Sequence, residues 1–195
     1  VSKVKIFVRR PYSIEDEKLE VNIVDFDTPE SFRDVLVGDV LFSCMGTTRK
    51  TAASKQEQFK VDYTYQYNVA QMARENKVPV YVLVSSTSAS PKSHFFYSRI
   101  KGELEEAIRK LNFQRTVFIR PSVLMGPRPE NRFGEKLSAK VINGLSALIP
   151  GLRKYKGILG SDVAKAMLNI YKSETYSPVE VYELDELFPF AKSTK

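Results

Sequence analysis

The sequence predicts an α/β protein in which a mainly parallel sheet is covered by helices on both faces. Strand-like and helix-like segments alternate along the 195 residues. The strand-like segments are nearly continuous apolar runs, as in Val80–Val84, which is typical of strands buried in a parallel sheet. With 43% hydrophobic and 27% charged residues, the chain has a globular composition and can bury a sizeable core. Disorder and low-complexity structure are therefore excluded.

The amino-terminal part predicts three strands and one short helix. Val4–Val8 and residues 19–25 are expected to be strands, because apolar residues recur at alternate positions. Pro29 after Asp27 predicts a helix start with Asp27 as the cap, and that helix should end by Gly38. Residues 40–44 predict a third strand buried on both faces, in which Cys44 is a small buried apolar residue.

The remaining chain continues the alternation of helices and strands. We expect helices over residues 56–76, 97–111, 133–148 and 161–171, and strands over 80–84, 116–119 and 179–182. No linker, internal repeat or composition change divides the chain. We therefore predict one domain over residues 1–195, with a small substrate-side region that covers about 121–195.

Charge and cysteine content narrow the classes of function. The 30 basic and 23 acidic residues give a net charge of +7, but the excess is dispersed, so we expect no nucleic-acid partner. One cysteine and one histidine exclude an intrachain disulfide and disfavour a transition-metal centre. No apolar run approaches the ~20 residues of a membrane span, and residues 1–10 do not resemble a signal peptide. We therefore expect a cytoplasmic monomer or homodimer that acts on a small molecule.

Ligands of parallel α/β sheets bind outside the carboxyl ends of the strands, so the residues that follow each strand are the candidates for a site. Arg9 and Arg10 follow the first strand, and guanidinium groups bind phosphate through paired hydrogen bonds. Asp25 and Phe26 follow the second strand, where a carboxylate and an aromatic ring can bracket an adenine. The alternatives are a solvated arginine pair and an ordinary turn.

The third and fifth strands are followed by segments suited to a dinucleotide. Gly46 permits close approach of the backbone to a ligand, and the hydroxyls of Thr47 and Thr48 can bind a diphosphate or ribose. Pro121 ends the fifth strand, and the backbone beyond it can face a nicotinamide carboxamide. Arg128 and Arg132 follow, and they are candidates for an anionic substrate or for plain surface charge.

The fourth strand leads into the most informative group of residues. Ser85, Ser86 and Thr87 follow it, and Tyr97 stands four residues before Lys101, so that these two share one face of a helix. A nearby ammonium lowers the pKa of a phenol from its usual ~10, and a serine hydroxyl can hold a carbonyl oxygen against it. Together these groups can transfer a proton in carbonyl reduction or alcohol oxidation.

The order of these motifs resembles the extended and atypical short-chain dehydrogenase/reductases, and within them the Tat-interacting-protein 2 branch. The resemblance covers essentially the whole chain, and it is specific in the order of its motifs rather than in any one of them. The motifs are Arg9-Arg10, Asp25-Phe26-Asp27, Cys44-Met45-Gly46-Thr47-Thr48, Val61-Asp62-Tyr63, Ser85-Ser86, Tyr97-x-x-x-Lys101, Arg120-Pro121-Ser122-Val123 and Ser161-Asp162-Val163-Ala164.

The resemblance implies a Rossmann-like doubly wound fold of three layers that binds NADP, with NAD less favoured because arginines rather than an acid follow the first strand. It implies that Tyr97 is the catalytic acid/base and that Lys101 holds the nicotinamide ribose. Ser86 or Ser85, with Thr87 as a third candidate, would orient the substrate oxygen. The implied cofactor contacts are Arg9, Arg10, Asp25, Phe26, Met45, Gly46, Thr47, Thr48, Lys101, Pro121 and Val123.

These features predict an NADP-dependent reductase or dehydrogenase of a carbonyl or alcohol. The alternative is a non-catalytic NADP-binding regulatory or interaction protein of the same fold.

One feature departs from the family pattern. The family begins with a strand and a glycine-rich turn that receives the pyrophosphate, whereas the first strand here corresponds to the family's second. The missing strand is central in the order 3-2-1-4-5, so its loss would split the sheet. We expect that about 20–30 residues, the size of a βα unit, precede this sequence in the intact protein. The alternative is a short form that cannot bind a dinucleotide in the normal way.

Overall fold

Parallel strands with intervening helices make up the computed structural model, which describes residues 1–126, 156–174 and 177–192. The strands are β1 (Val4–Val8), β2 (Leu19–Ile23), β3 (Val40–Ser43), β4 (Val80–Val84), β5 (Arg115–Arg120), β6 (Leu124–Met125), β7 (Ile158–Leu159) and β8 (Val179–Glu183). Each of the strands predicted from the sequence is found, with boundaries that differ by at most two residues. The predicted helix over residues 133–148 lies outside the described residues.

The strands form a four-stranded parallel sheet in the order β3-β4-β5-β8, together with a separate parallel pair β1-β2 and a short pair β6-β7. Within the described part of the chain, no ladder joins β1 to β3, so the sheet is split where the sequence predicted. In the four-stranded sheet Ser43 aligns with Leu83, and Val84 aligns with Ile119. This register brings the carboxyl ends of β3, β4 and β5 to one edge.

The helices are α1 (Arg49–Ala52), α2 (Lys55–Phe59), α3 (Tyr65–Glu75), α4 (Phe96–Arg109), α5 (Gly160–Lys172) and α6 (Leu187–Lys192). The π-helical segment Lys60–Thr64 joins α2 to α3, so these three pieces form the one long helix that the sequence predicts. Short 3₁₀ helices cover Pro29–Val35 and Leu184–Glu186. A π-helical turn inside an α-helix commonly marks a functional position.

Two hydrophobic layers enclose the sheet. Side chains of a strand alternate between faces, so Tyr81 and Leu83 of β4 lie in one layer and Val82 lies in the other. The first layer contains residues of α3 and α4, and the second contains residues of α5 and α6. Helices therefore cover both faces of a parallel sheet, which confirms the predicted Rossmann-like α/β fold.

Three local expectations were wrong. The Asp27 carboxylate does not cap a helix; it binds Lys60 at 2.6 Å and accepts a hydrogen bond from the Tyr65 hydroxyl at 2.8 Å. Most of β3 is only partly buried, because it pairs with β4 alone and so forms an edge of its sheet. Cys44 is exposed rather than buried, since it lies beyond the last paired residue of that edge strand.

Candidate functional site

The candidate site lies at the carboxyl edge of the four-stranded sheet. Residues 44–48 follow β3, residues 85–88 follow β4, and Pro121 follows β5. Because these strands are parallel and in register, the three segments emerge at the same edge. The geometry therefore brings together segments that the sequence assigns to dinucleotide binding and to proton transfer.

Helix α4 lies unusually close to the loop that follows β4. A Cβ atom on Gly102 would stand 2.3 Å from the carbonyl carbon of Ser90 and 2.4 Å from the nitrogen of Pro91. No side chain fits in that space, so glycine is required for this approach. The contact fixes α4 beside the serine-rich segment, and α4 carries both Tyr97 and Lys101.

Tyr97 and Lys101 differ in their surroundings although they lie one helical turn apart. Tyr97 is 40% exposed, whereas Lys101 is 2% exposed. The Lys101 Nζ atom lies 3.8 Å from Oδ1 of Asp62, a residue of the π-helical segment that is itself fully buried. Burial lowers the pKa of Lys101 and raises the pKa of Asp62, while their mutual attraction opposes both shifts.

Asp62 also contacts the segment after β3. The backbone N–H of Thr47 donates to Asp62 Oδ1 at 3.3 Å, and a Cβ atom on Gly46 would stand 3.2 Å from the same oxygen. The Gln66 side chain donates to the Asp62 backbone carbonyl at 2.9 Å and accepts a hydrogen bond from the Ser43 hydroxyl at 3.0 Å. A buried polar chain therefore runs from β3 through the long helix to Lys101.

A second buried carboxylate stands near Lys101. Glu105 is 2% exposed and lowers the free energy of the protonated Lys101 through its charge. Arg120 donates to both Glu105 carboxylate oxygens, at 3.0 and 2.7 Å, and also pairs with Glu183. The charge of Glu105 is thus offset by a bidentate arginine, whereas Asp62 faces Lys101 directly.

The hydroxyl residues after β4 lie in different environments. Ser85 is 5% exposed, and its hydroxyl has no hydrogen-bond partner among the described residues. By alternation along the strand, Ser85 lies on the face of the sheet that α4 covers. Ser86 is partly buried, and its hydroxyl lies 3.4 Å from that of Ser88, which in turn bonds the Ser98 hydroxyl of α4 at 2.8 Å.

The residues expected at the adenosine end lie after β1 and β2. Arg9 and Arg10 are exposed. Asp25 is exposed and accepts a hydrogen bond from the Asp27 backbone at 2.9 Å. The Phe26 ring is buried against Phe32 and Tyr65, because it completes the first hydrophobic layer. The adenine contacts of Asp25 and Phe26 remain predictions.

At the fifth strand Pro121 is buried and Val123 is partly buried. The backbone carbonyl of Val123 accepts a hydrogen bond from the Ile158 N–H at 3.1 Å, so this segment is anchored by β7. Arg128 and Arg132, the candidates for binding an anionic substrate, lie outside the described residues. The cofactor role of Pro121 and Val123 remains a prediction.

Three buried polar residues near the site, Asp62, Gln66 and Glu105, were given no role from the sequence. Helical periodicity could have identified two of them. Asp62 and Gln66 are four residues apart and lie on the buried face of the long helix. A polar residue on an apolar helix face needs a partner, since burial without one is costly. Only the packed structure shows that the partners are Lys101, Thr47 and Ser43.

Other surface features do not belong to this site. A groove of about 600 Å³ lies between β8 and the end of α4, lined by Arg109, Arg120 and Glu183 among others, and it contains no predicted site residue. Across the described ranges, no cluster of three acidic, histidine or cysteine residues is arranged to hold a metal ion. Within the same ranges, no helix combines the length and apolarity needed to cross a membrane.

Comparison with known proteins identifies relatives of this chain. No family model matches it. "Protein FMP52, mitochondrial" of Eremothecium gossypii is 33% identical over 196 residues, which covers 98% of this chain and 86% of that protein. "Protein fmp52, mitochondrial" of Emericella nidulans is 35% identical over 142 residues, and the match spans 71% of this chain and 61% of that protein. "Protein FMP52, mitochondrial" of Candida albicans is 41% identical over 133 residues, and the match spans 67% of this chain and 57% of that protein.

Solved structures share the fold at low sequence identity. MoeE5 in complex with UDP-glucuronic acid and NAD matches with a TM-score of 0.68 and 15% identity, over 93% of this chain and 68% of that chain. WbmH of Bordetella bronchiseptica in complex with NAD+ matches with a TM-score of 0.66 and 13% identity, over 93% of this chain and 66% of that chain. These matches show that this chain shares the Rossmann-like α/β fold with those two proteins.

The relatives correct one expectation. A cytoplasmic location was inferred from the low cysteine content and the lack of a recognisable signal, but each of these relatives is named mitochondrial. The cytoplasmic prediction is therefore wrong. A single cysteine excludes a disulfide framework without distinguishing one reducing compartment from another, so the composition carried no information on this point.

Proposed function

We propose that this chain, which belongs to the family of mitochondrial proteins named Fmp52, is an NAD(P)-dependent oxidoreductase that acts on a carbonyl or alcohol. The observation that carries the proposal is the buried Lys101, held 3.8 Å from Asp62 at the sheet edge where the serine-rich segment emerges. A lysine that is 2% exposed is costly to bury, so its placement here favours a functional role.

The described residues fit a nicotinamide dinucleotide. The Ser85 hydroxyl is buried and lacks a hydrogen-bond partner among the residues that the structure describes, which leaves a polar atom for a ligand to satisfy. A Cβ atom on Gly46 would stand 3.2 Å from Asp62 Oδ1, so glycine lets the backbone of the proposed cofactor loop approach this carboxylate closely. The nicotinamide group, when bound, supplies hydride donation or acceptance.

The residues of the proposed site have distinct tasks. Tyr97 gives a proton to the substrate oxygen during reduction and takes it back during oxidation. Lys101 holds the nicotinamide ribose, and its positive charge favours the phenolate form of Tyr97. Ser85 or Ser86 donates a hydrogen bond to the substrate oxygen, with Thr87 as the third candidate. We favour Ser85, because its hydroxyl is buried on the face that α4 covers.

We further propose NADP as the preferred cofactor, because the exposed Arg9 and Arg10 stand where an acidic residue would select NAD. Contacts from residues 45–48 and from Pro121 and Val123 complete the proposed cofactor site. The relation to the Tat-interacting-protein 2 branch, the single domain over residues 1–195 and a mitochondrial location belong to the same proposal. The neighbour MoeE5 binds NAD, so NAD is the alternative that a titration must exclude.

The decisive experiment uses the protein expressed from its natural gene. Aldehydes, ketones and quinones are screened for NADPH consumption, and Tyr97→Phe is compared with the wild type on the best substrate. We expect kcat to fall roughly 10²–10⁴-fold with little change in NADPH affinity, because only the proton carrier is lost. Tyr67→Phe removes a phenol hydroxyl from α3 and serves as the matched control.

The outcomes separate the candidate functions. Full turnover by Tyr97→Phe removes Tyr97 from the mechanism. Tight NADPH binding without turnover on any substrate would favour the non-catalytic regulatory protein. A wild-type protein that binds neither NADPH nor NADH would overturn the proposed function as a whole.

A further inference from the structure

One carboxylate oxygen connects two parts of the site that are distant in sequence. Asp62 Oδ1 lies 3.8 Å from Lys101 Nζ on α4 and accepts the Thr47 N–H of the 45–48 loop at 3.3 Å. Those two contacts join the proposed ribose-binding lysine to the proposed cofactor loop. The other oxygen, Oδ2, is buried with no hydrogen-bond partner in the described part of the chain.

We propose that Asp62 is a positioning residue, whose Oδ1 atom holds the Lys101 ammonium and the backbone of the 45–48 loop in one arrangement for a nicotinamide cofactor. This inference rests on the proposed function, and it assigns Asp62 no contact with the substrate. The residue acts through its neighbours, because its carboxylate is completely buried beneath them.

The local backbone and its hydrogen bonds hold Asp62 in a defined position. It lies in the π-helical segment Lys60–Thr64, where the Tyr65 N–H bonds the Lys60 carbonyl five residues earlier. The Asp62 carbonyl accepts a side-chain hydrogen bond from Gln66 at 2.9 Å, and Gln66 is bonded in turn by Ser43 of β3. Both the backbone carbonyl and the carboxylate of Asp62 therefore accept hydrogen bonds, which favours one orientation of the side chain.

The surrounding charges identify Asp62 as the counter-ion of Lys101. The titratable groups that act on Lys101 are Asp62 from the π-helical segment, Glu105 from α4 itself and Cys44 after β3. Arg120 binds both oxygens of Glu105, so that carboxylate is already compensated. Within the described residues Asp62 is paired with Lys101 rather than with an arginine, and loss of its charge would leave Lys101 as a poorly compensated buried cation.

Asp62→Asn removes the negative charge that faces Lys101 but keeps an oxygen that can accept the Thr47 hydrogen bond. The asparagine carbonyl oxygen can still accept the Thr47 N–H, but the attraction that opposes the fall in the Lys101 pKa is lost. The Lys101 pKa should therefore fall below its wild-type value, and the protonated fraction should decrease as pH rises. We expect at least a tenfold loss of NADPH affinity that grows with increasing pH.

Two measurements test this in the protein expressed from its natural gene. The first is titration of the Lys101 side chain by ¹⁵N NMR without cofactor, with the resonance assigned from a Lys101→Arg variant. The second is NADPH binding by fluorescence across the pH range. Glu75→Gln removes a carboxylate from the same long helix, at the surface near Arg33, and should leave both measurements unchanged.

A second variant keeps the test available if Asp62→Asn fails to fold. Gly46→Ala adds a Cβ atom 3.2 Å from Asp62 Oδ1 at an exposed loop position, so the carboxylate or the loop must shift and the Lys101 pKa should change with it. An unchanged Lys101 titration in the folded Asp62→Asn variant, or in Gly46→Ala when the former is unfolded, would overturn the inference. If the wild type binds no nicotinamide dinucleotide, the proposed function fails, while the cofactor-free titration still decides the role of Asp62.

Discussion

At the scale of single residues, the proposed preference for NADP over NAD rests on Arg9 and Arg10. Both side chains are exposed at the carboxyl end of β1. An arginine at this position of a dinucleotide-binding sheet can accept the 2′-phosphate that distinguishes NADP from NAD. A charged hydrogen bond contributes about 1.5–3 kcal/mol, which is enough to separate two ligands that differ by one phosphate.

Replacing Arg9 and Arg10 together with alanine should weaken NADPH binding at least about tenfold more than NADH binding, since a single charged contact is worth that much. Titration of the natural full-length protein with each cofactor measures the difference. As a control, replacing Lys3 and Lys5 with alanine removes the same amount of charge near the amino-terminal end of β1. This double substitution should not change the ratio of NADPH affinity to NADH affinity. Equal losses for NADPH and NADH in the Arg9/Arg10 variant would refute the assignment.

At the scale of secondary structure elements, the position of α4 determines where the proposed catalytic groups lie. The helix carries Tyr97 and Lys101, and Gly102 allows it to lie against the backbone of Ser90 and Pro91. Glycine in the middle of a helix costs roughly 0.5–1 kcal/mol relative to alanine. The close contact explains why α4 contains a residue that weakens an isolated helix.

Gly102→Ala should lower the stability of the protein despite the better helix propensity of alanine. The added Cβ would meet backbone atoms at 2.3–2.6 Å, so α4 or the loop must shift. Overpacking typically costs about 1–3 kcal/mol, which corresponds to a melting temperature lower by several degrees in a protein of this size. NADPH affinity should fall as well, because Lys101 moves with the helix. Calorimetry and cofactor titration measure the two effects.

Gly160→Ala is the matched control for that substitution. Gly160 is also a helical glycine, at the start of α5, but an added Cβ would meet no atom within 4 Å. Its melting temperature should stay the same or rise slightly. If both alanine variants behave alike, the close approach of α4 is not what Gly102 provides.

At the scale of the whole molecule, the carboxyl-terminal elements are attached to the sheet through Arg115. This residue is 4% exposed at the start of β5, and it pairs with Glu180 of β8 at 2.8 Å. Its guanidinium also donates to the carbonyls of Ile170 and Tyr171 at 2.8 and 3.0 Å, near the end of α5. One side chain therefore links two strands and the last turn of a helix.

Arg115→Ala should destabilise the protein strongly. Removing one partner of a buried ion pair typically costs about 3–5 kcal/mol, because the other charge and the helix carbonyls lose their partner. Thermal unfolding should show a melting temperature lower by roughly 10 °C or more. Arg33→Ala breaks an exposed pairing with Glu30 and Glu75 and should have a much smaller effect. Similar shifts for both variants would contradict a special role for Arg115.

Much of this fold follows from the sequence because its signals are local. The apolar runs at Val4–Val8 and Val80–Val84 and the alternation of strands with helices define a parallel α/β sheet without long-range information. The correspondence of β1 to the second strand of the resembled family likewise predicted a sheet divided between β1 and β3, which is the topology of the described residues. The spacing of Tyr97 and Lys101 predicted that they share a helix, and both lie on α4.

Only the tertiary structure decided which polar groups meet. Lys101 and Asp62 are 39 positions apart, and their pairing depends on how α4 packs against the π-helical segment. The burial of the Phe26 ring and the exposure of Cys44 likewise depend on which element covers each residue. Sequence periodicity determines which face of an element is apolar, but the partner of a buried charge is determined by packing between distant elements. For this protein the sequence therefore determined the fold and the location of the candidate site, and the tertiary structure determined the electrostatic environment of its lysine.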